Sequence, residues 1–184
     1  MEIKGVAVKS TLEFVKQKFN TNYNEWLNNL PEESFSILTG NISNSKWYSF
    51  KYAQLIPTDS IIDNFYSSNI EGAKEMGRFS AEIGLQGILK YFVKLGSPNF
   101  IISRATKVFQ TYYKNSSIEI ISSTKTSVIF KITDFNELDK YTEARISGWI
   151  EKALEISGCK DVKANIVNSI ADGDDYSEIF ITWK

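Results

Sequence analysis

The apolar residues of this chain change their period once, and that change sets its fold class. Up to Tyr113 they recur every three or four residues. Beyond it, Ile118 and Ile120 alternate with polar residues, and Val128, Phe130 and Ile132 do the same. A period of 3.6 places apolar groups on one stripe of a helix, and a period of 2 places them on one face of a strand. Ser122 to Thr126 is the turn between the two alternating runs, which predicts a β-hairpin. A helical pattern returns from about Asn136 to Ser157, with Leu138, Tyr141, Ile146, Trp149, Ile150, Ala153 and Leu154 inward. Gly158 then suits the position after the helix, where φ > 0 is common. Two alternating runs close the chain: Val162, Ala164, Ile166 and Ile170, then Ile179, Ile181 and Trp183. Asp172-Gly-Asp-Asp175 supplies the turn between them. Helices first and antiparallel strands afterwards is the order of an α+β protein. The expected architecture is an N-terminal helical layer, residues 1–113, packed on a C-terminal antiparallel sheet made of hairpin–helix–hairpin, residues 114–184, in a single domain 1–184.

Within the helical part, the first segment begins near Gly5; Ser10 and Glu13 have capping-box spacing, with Leu12, Val15 and Phe19 then giving an apolar face. Asn22 opens a second helix carrying Trp26, Leu27 and Leu30. Pro31-Glu-Glu opens a third, which Gly40 stops. Tyr48, Phe50 and Tyr52 alternate between Lys46 and Tyr52 as a short strand or an extended aromatic arm, and Pro57 begins another helix with Ile61, Ile62 and Phe65 inward. Ile70 to Gly96 reads as one long helix. Ala73, Gly77, Ala81, Gly84 and Gly87 form a stripe along it. A glycine inside a helix costs about 1 kcal/mol relative to alanine, so the stripe implies a close neighbour. That neighbour is either another part of the same chain, with helix 98–113 the candidate, or a second copy in a homodimer. Ser97-Pro98 caps a further amphipathic helix through Ile101, Ile102, Ala105, Val108, Phe109 and Tyr112, folded back on the long one.

Histidine is absent from all 184 residues. Ser-His-Asp and Cys-His catalysis, the usual zinc sites and histidine-ligated haem are therefore excluded. No spacing of Glu, Asp, Tyr or Lys marks an acid–base pair, so the chain is read as non-enzymatic. With 21 basic and 22 acidic residues there is no field for a polyphosphate, which argues against nucleic-acid binding. One cysteine, Cys159, precludes an intrachain disulfide and suits a reducing compartment. No apolar run is long enough for a membrane span or signal peptide, and a cytoplasmic location is expected.

Three stretches carry a family resemblance: the opening Glu2-Ile-Lys-Gly-Val6, the run from Ser147 to Val162, and Asp172 to Trp183 with its aliphatic–polar–Trp ending. Together they resemble the superfamily of haem nitric-oxide-binding (H-NOX) sensors, vinyl-4-reductase-type ligand-binding domains and Bet-type subunits of the TRAPP transport complex. Arg78 to Phe100 is similar to a bacterial set within that superfamily. The resemblance implies a sensor or ligand-binding fold that often dimerises through helices. It does not carry haem across: the histidine is missing, and where a Tyr-x-Ser-x-Arg run would hold the propionates stands Thr111-Tyr-Tyr-Lys-Asn115. Nor does it carry a thiolate metal site, since Asn168, Ser169 and Ser177 occupy the last hairpin.

The expected function is capture of an apolar or amphipathic small molecule, without cofactor or metal, signalled through the helical face to a partner. The alternative is a ligand-free homodimeric scaffold or protein-interaction module. The pocket candidates are Phe79, Phe109, Tyr112, Tyr113 and Trp149, a mix of apolar rings and rim hydroxyls that suits a small-molecule site; a filled core is the competing reading. Arg104 and Arg145 interrupt apolar patterns and could each anchor a carboxylate, either a ligand's or that of Glu82 or Glu143. Arg78 and Glu82, at i and i+4, are expected to form a surface ion pair. Asp172, Asp174 and Asp175 lack the spacing of a calcium loop and are read as turn residues.

Overall fold

A computed structural model describes residues 1–85 and 98–184. The chain begins with strand β1 (Glu2–Lys4), which runs directly into α1 (Gly5–Lys18). Short helices α2 (Tyr23–Asn28) and α3 (Glu32–Thr39) follow, then β2 (Trp47–Ser49), a π-helical turn over Lys51–Leu55, and α4 (Ile56–Tyr66). Next come α5 (Ile70–Leu85), α6 (Pro98–Ile102), α7 (Ala105–Tyr112) and β3 (Tyr113–Lys114). The last part is β4 (Ser117–Ser123), β5 (Ser127–Thr133), α8 (Lys140–Ile156), β6 (Lys163–Asn168) and β7 (Ser177–Thr182).

The expected hairpin–helix–hairpin is present as an antiparallel four-stranded sheet of order β4-β5-β7-β6. Its alternation follows the sequence: in β5 Val128, Phe130 and Ile132 are buried, and in β7 Ile179 and Ile181. Asp139 caps α8, accepting from Thr142 N at 2.9 Å and Tyr141 N at 3.3 Å. Gly158, at φ 105°, takes the left-handed position expected of it, and Gly173, in the last turn, sits at φ 102°.

Several local expectations need correction. Ser10 starts no helix. It lies inside α1, where its hydroxyl bonds Ala7 O at 2.7 Å and lies 2.8 Å from Ser80 Oγ on α5. Residues 2–4, too short to show a period, instead pair with β2 and β3 in a second, three-stranded sheet of order β2-β1-β3. The strand at Lys46 to Tyr52 ends at Ser49, because Phe50 turns into the π-helical segment and is wholly buried. Helix 98–113 is two helices, broken at Ser103–Arg104; Arg104 sits at φ −106°, ψ −1°. The break accompanies a new anchor, Thr106 Oγ1 donating to Ile118 O of β4 at 2.9 Å. The long helix is described as far as Leu85. Gly87 and the turn proposed to fold 98–113 back lie outside the described residues.

The stripe on α5 meets α8. A Cβ on Gly77 would stand 2.0 Å from Arg145 O, and one on Gly148 would stand 2.1 Å from Lys74 O. Each helix thus contributes a glycine to one crossing where the backbones touch. Ala73 and Ala81 are fully buried along the same stripe, and Ala81 packs with Leu85 and Ala153. Gly84 faces the Tyr112 hydroxyl, 2.8 Å from where its Cβ would be. The close neighbour is therefore α8, with α7 at the far end.

Ion pairs lace the same crossing. Arg78 does not pair with Glu82. It reaches Glu151 at 3.2 Å and Glu155 at 2.7 Å, while Glu82 pairs with Lys152 at 2.5 Å. Glu151 is nearly buried, and also accepts from Lys74 Nζ at 2.8 Å and Ala164 N at 2.7 Å. Periodicity alone favoured the i, i+4 partner; the packed neighbour offered better-placed acceptors.

One carboxyl is held against its charge. Burial, with Asp139 and Asp63 close by, pushes Asp59 on α4 up to about 6 from an ordinary 3.8. An acid whose pKa is raised by folding stabilises the fold when protonated. That contribution is whole below 3.8 and lost as the pH rises through about 6. Asp59→Asn is expected to gain about 1 kcal/mol at pH 7.5, discounted because the side chain is half open to solvent. Thermal melts of both proteins across pH should show the advantage vanishing by about pH 4.

Candidate functional site

Between α7 on one side and α5 with α8 on the other, the chain encloses a cavity of about 240 Å³. Ile118 of β4 and Phe130 of β5 floor it. Its walls are the inward faces of amphipathic elements: Ile101 and Ile102 of α6, Ala105, Val108, Phe109 and Tyr112 of α7, and Ile146, Trp149, Ile150, Ala153 and Leu154 of α8. The walls are overwhelmingly apolar, and the polar groups gather where α8 meets the N-terminal helices.

Of the candidates read from the sequence, Phe109, Tyr112, Tyr113, Trp149, Arg104 and Arg145 all line this cavity, as does Gly77. Phe79 is not on its wall. At 100° per residue it lies roughly opposite Gly77 on α5, and its ring meets Phe14 of α1 edge-on at 5.3 Å. Gln54, of the π-helical segment, and Ser80 and Leu85 of α5 complete the lining described. Gln54 went unnoticed because a π turn leaves no periodic mark. Arg104 is exposed at the cavity's outer side, whereas Arg145 is buried.

The Arg145 guanidinium donates from Nη1 to Thr58 Oγ1 at 2.5 Å and from Nη2 to Thr11 Oγ1 at 3.0 Å. The carboxylates considered for it are engaged elsewhere. Glu143 accepts from Ser169 Oγ at 2.7 Å and from Ser177 Oγ, and Glu82 holds Lys152. Burial lowers the Arg145 pKa, which Tyr113 and Asp139 oppose. Gln54 Nε2 donates to the Tyr113 hydroxyl at 3.4 Å. Burial raises the Tyr113 phenol, against the pull of Arg145 and Gln54, and pushes Tyr112 up to about 12, with Tyr113 adding and Trp149 opposing. Both phenols are therefore neutral donors near pH 7. The Trp149 indole N–H is buried with no aligned acceptor among the described residues.

Of the turn acids, Asp174 accepts at Oδ2 from Ser169 N at 2.8 Å within the turn. Cys159 is buried, and burial raises its thiol. No described helix is long and apolar enough to cross a membrane.

The fold, a helical layer with an antiparallel hairpin–helix–hairpin sheet, is shared with solved H-NOX proteins. The H-NOX protein from S. oneidensis, solved in its Fe(II)NO ligation state, superposes with TM-score 0.76 at 12% identity, covering 99% of this chain and 99% of that one. A mutant H-NOX protein from K. algicida, Fe(II) and unliganded, gives 0.74 at 12% identity, covering 99% and 97%. A mutant of T. tengcongensis H-NOX gives 0.67 at 13%, covering 99% and 98%. No protein-family model matches the sequence, and no curated protein sequence does.

The haem that this fold implies does not suit the residues present. The chain has no histidine, the two cavity phenols are held protonated by burial, and a guanidinium occupies the inner wall. An apolar cavity of 150 Å³ accepts benzene, so one of 240 Å³ takes about ten heavy atoms, several times fewer than a haem.

Proposed function

We propose that this chain is a non-enzymatic ligand-binding or sensor domain for an apolar or amphipathic small molecule, held between helices and sheet, whose occupancy is read out through the helical face. The observation that carries the reading is the cavity itself: apolar walls, a few convergent polar groups, and a volume near the range of small-molecule sites. The Fe(II)NO state of the S. oneidensis protein adds support, because the same fold there serves a small ligand. The cavity touches α5, α6, α7 and α8, so a ligand that fits one arrangement of these helices better than another shifts their population. The homodimeric scaffold has weaker support, since the α5 stripe it drew on lies against α8 of the same chain.

The test is a titration of ¹⁵N-labelled protein with 1-octanol, followed at the Trp149 indole N–H, together with native mass spectrometry of gently purified protein. A saturable shift is expected. Ala105→Trp, which fills the cavity from its wall, is expected to weaken binding at least tenfold with the melting temperature within a few degrees of the parent. The reading is overturned if no small molecule co-purifies and 1-octanol leaves the Trp149 signal unmoved.

A further inference from the structure

Arg145 is a buried cation, 4% exposed, on the wall of an apolar cavity. Its hydrogen-bond partners, Thr11 and Thr58, are neutral hydroxyls. No ion pair joins it to a carboxylate among the described residues, and residues 86–97 contain no Asp or Glu. Asp139, whose charge reaches Arg145 without pairing with it, caps α8; Glu143 takes two serine hydroxyls, and Glu151 takes Lys74 and Arg78. Charges this deep are ordinarily paired, because burying an uncompensated one is costly.

One further group on the cavity wall presents hydrogen without a matching acceptor. The Tyr113 hydroxyl accepts from Gln54, so its own proton is free to be donated, and it lies within the electrostatic reach of Arg145. Trp149, one turn along α8 from Arg145 and so on the same face, has its buried N–H beside the Tyr112 hydroxyl, short of good hydrogen-bond alignment. A cation and a neutral donor, around a cavity with no anionic group on its described lining, form a set complementary to an anion. A planar guanidinium fork favours a carboxylate.

We propose that the cavity's ligand is an amphiphile with an anionic carboxylate head, seated on Arg145 and the Tyr113 hydroxyl, with its tail lying along Ile101, Ala105 and Val108. This inference rests on the small-molecule reading above. Scaled from the benzene-sized cavity of 150 Å³, 240 Å³ suits about ten heavy atoms, the size of an eight-carbon acid.

The deciding experiment titrates the wild-type protein with three ligands of equal chain length: octanoate, 1-octanol and octylammonium, again at the Trp149 indole signal, assigned through Trp149→Phe. Octanoate is expected to bind at least tenfold tighter than 1-octanol, and octylammonium weakest of the three. In Arg145→Met the octanoate-to-octanol ratio is expected to fall to about one, and in Arg145→Lys, which keeps the charge, to stay above it. Equal affinities for octanoate and 1-octanol in the wild-type chain overturn the carboxylate head and leave the small-molecule reading standing. A preference for octanoate that survives in Arg145→Met places the anion elsewhere and overturns the assignment. Failure of all three ligands overturns both readings. Should Arg145→Met not fold, the wild-type charge series decides alone.

Discussion

Gly77→Val is expected to lower the melting temperature by about 6–12 °C. The added Cβ would stand 2.0 Å from Arg145 O and 2.9 Å from Arg145 Cα, so the obstacle is backbone that no side-chain rotation removes. Either α5 and α8 separate or both helices bend, and the crossing holds Ala73, Ala81 and Ala153 buried around it. Overpacking of this kind costs about 3 kcal/mol at the upper end of the usual range. In a chain of this length each kcal/mol moves the midpoint by about 2–4 °C. Gly148→Val, facing Lys74 O at 2.1 Å, is expected to cost a similar amount. Because both act on one crossing, the double variant should lose clearly less than the sum of the two. Thermal melts of the three proteins decide the point; full additivity would show that the two glycines answer to separate contacts.

The second large effect is expected at Glu151. Its carboxylate, 5% exposed, receives Lys74 at 2.8 Å, Arg78 at 3.2 Å and Ala164 N at 2.7 Å, joining α5, α8 and the start of β6. Glu151→Ala leaves two cations facing each other and a strand N–H without its acceptor. Breaking a buried pair costs about 3–5 kcal/mol, but Lys74 and Arg78 are 26% and 33% exposed and can turn to water. A loss of about 2–3 kcal/mol is expected, and Glu151→Gln, which still accepts from Ala164, should lose about half of that. Chemical unfolding of the two variants checks the order. A Gln variant as unstable as the Ala variant would assign the whole effect to charge.

Much of the fold was legible because its signals are local. Alternation in 118–132 and 162–183 located the sheet, and the return of a 3.6 period located α8. Ser10 shows how local grammar misleads: a hydroxyl three residues before a glutamate fits a helix start, but here it serves an interhelical contact with Ser80. β1 escaped notice because three residues have no period, and its pairing partners lie more than 40 and 100 residues away. Among the cavity residues, Phe109, Tyr112 and Tyr113 stood out as aromatics at helical spacing. Phe79 stood out for the same reason and packs elsewhere, because spacing reports which residues share a face and not what the face meets.

What the sequence determined by itself was the α+β class, the absence of any histidine chemistry, and the need for something to approach the glycines of α5 closely. These follow from period, composition and the intrinsic cost of glycine in a helix, none of which depends on distant residues. The tertiary structure decided that α8 is what approaches, that Arg78 looks across to Glu151 and Glu155, and that Arg145 is buried beside an apolar cavity with no acid of its own. Each of these depends on which surfaces meet, and residues brought together from distant segments leave no mark in the spacing of either one.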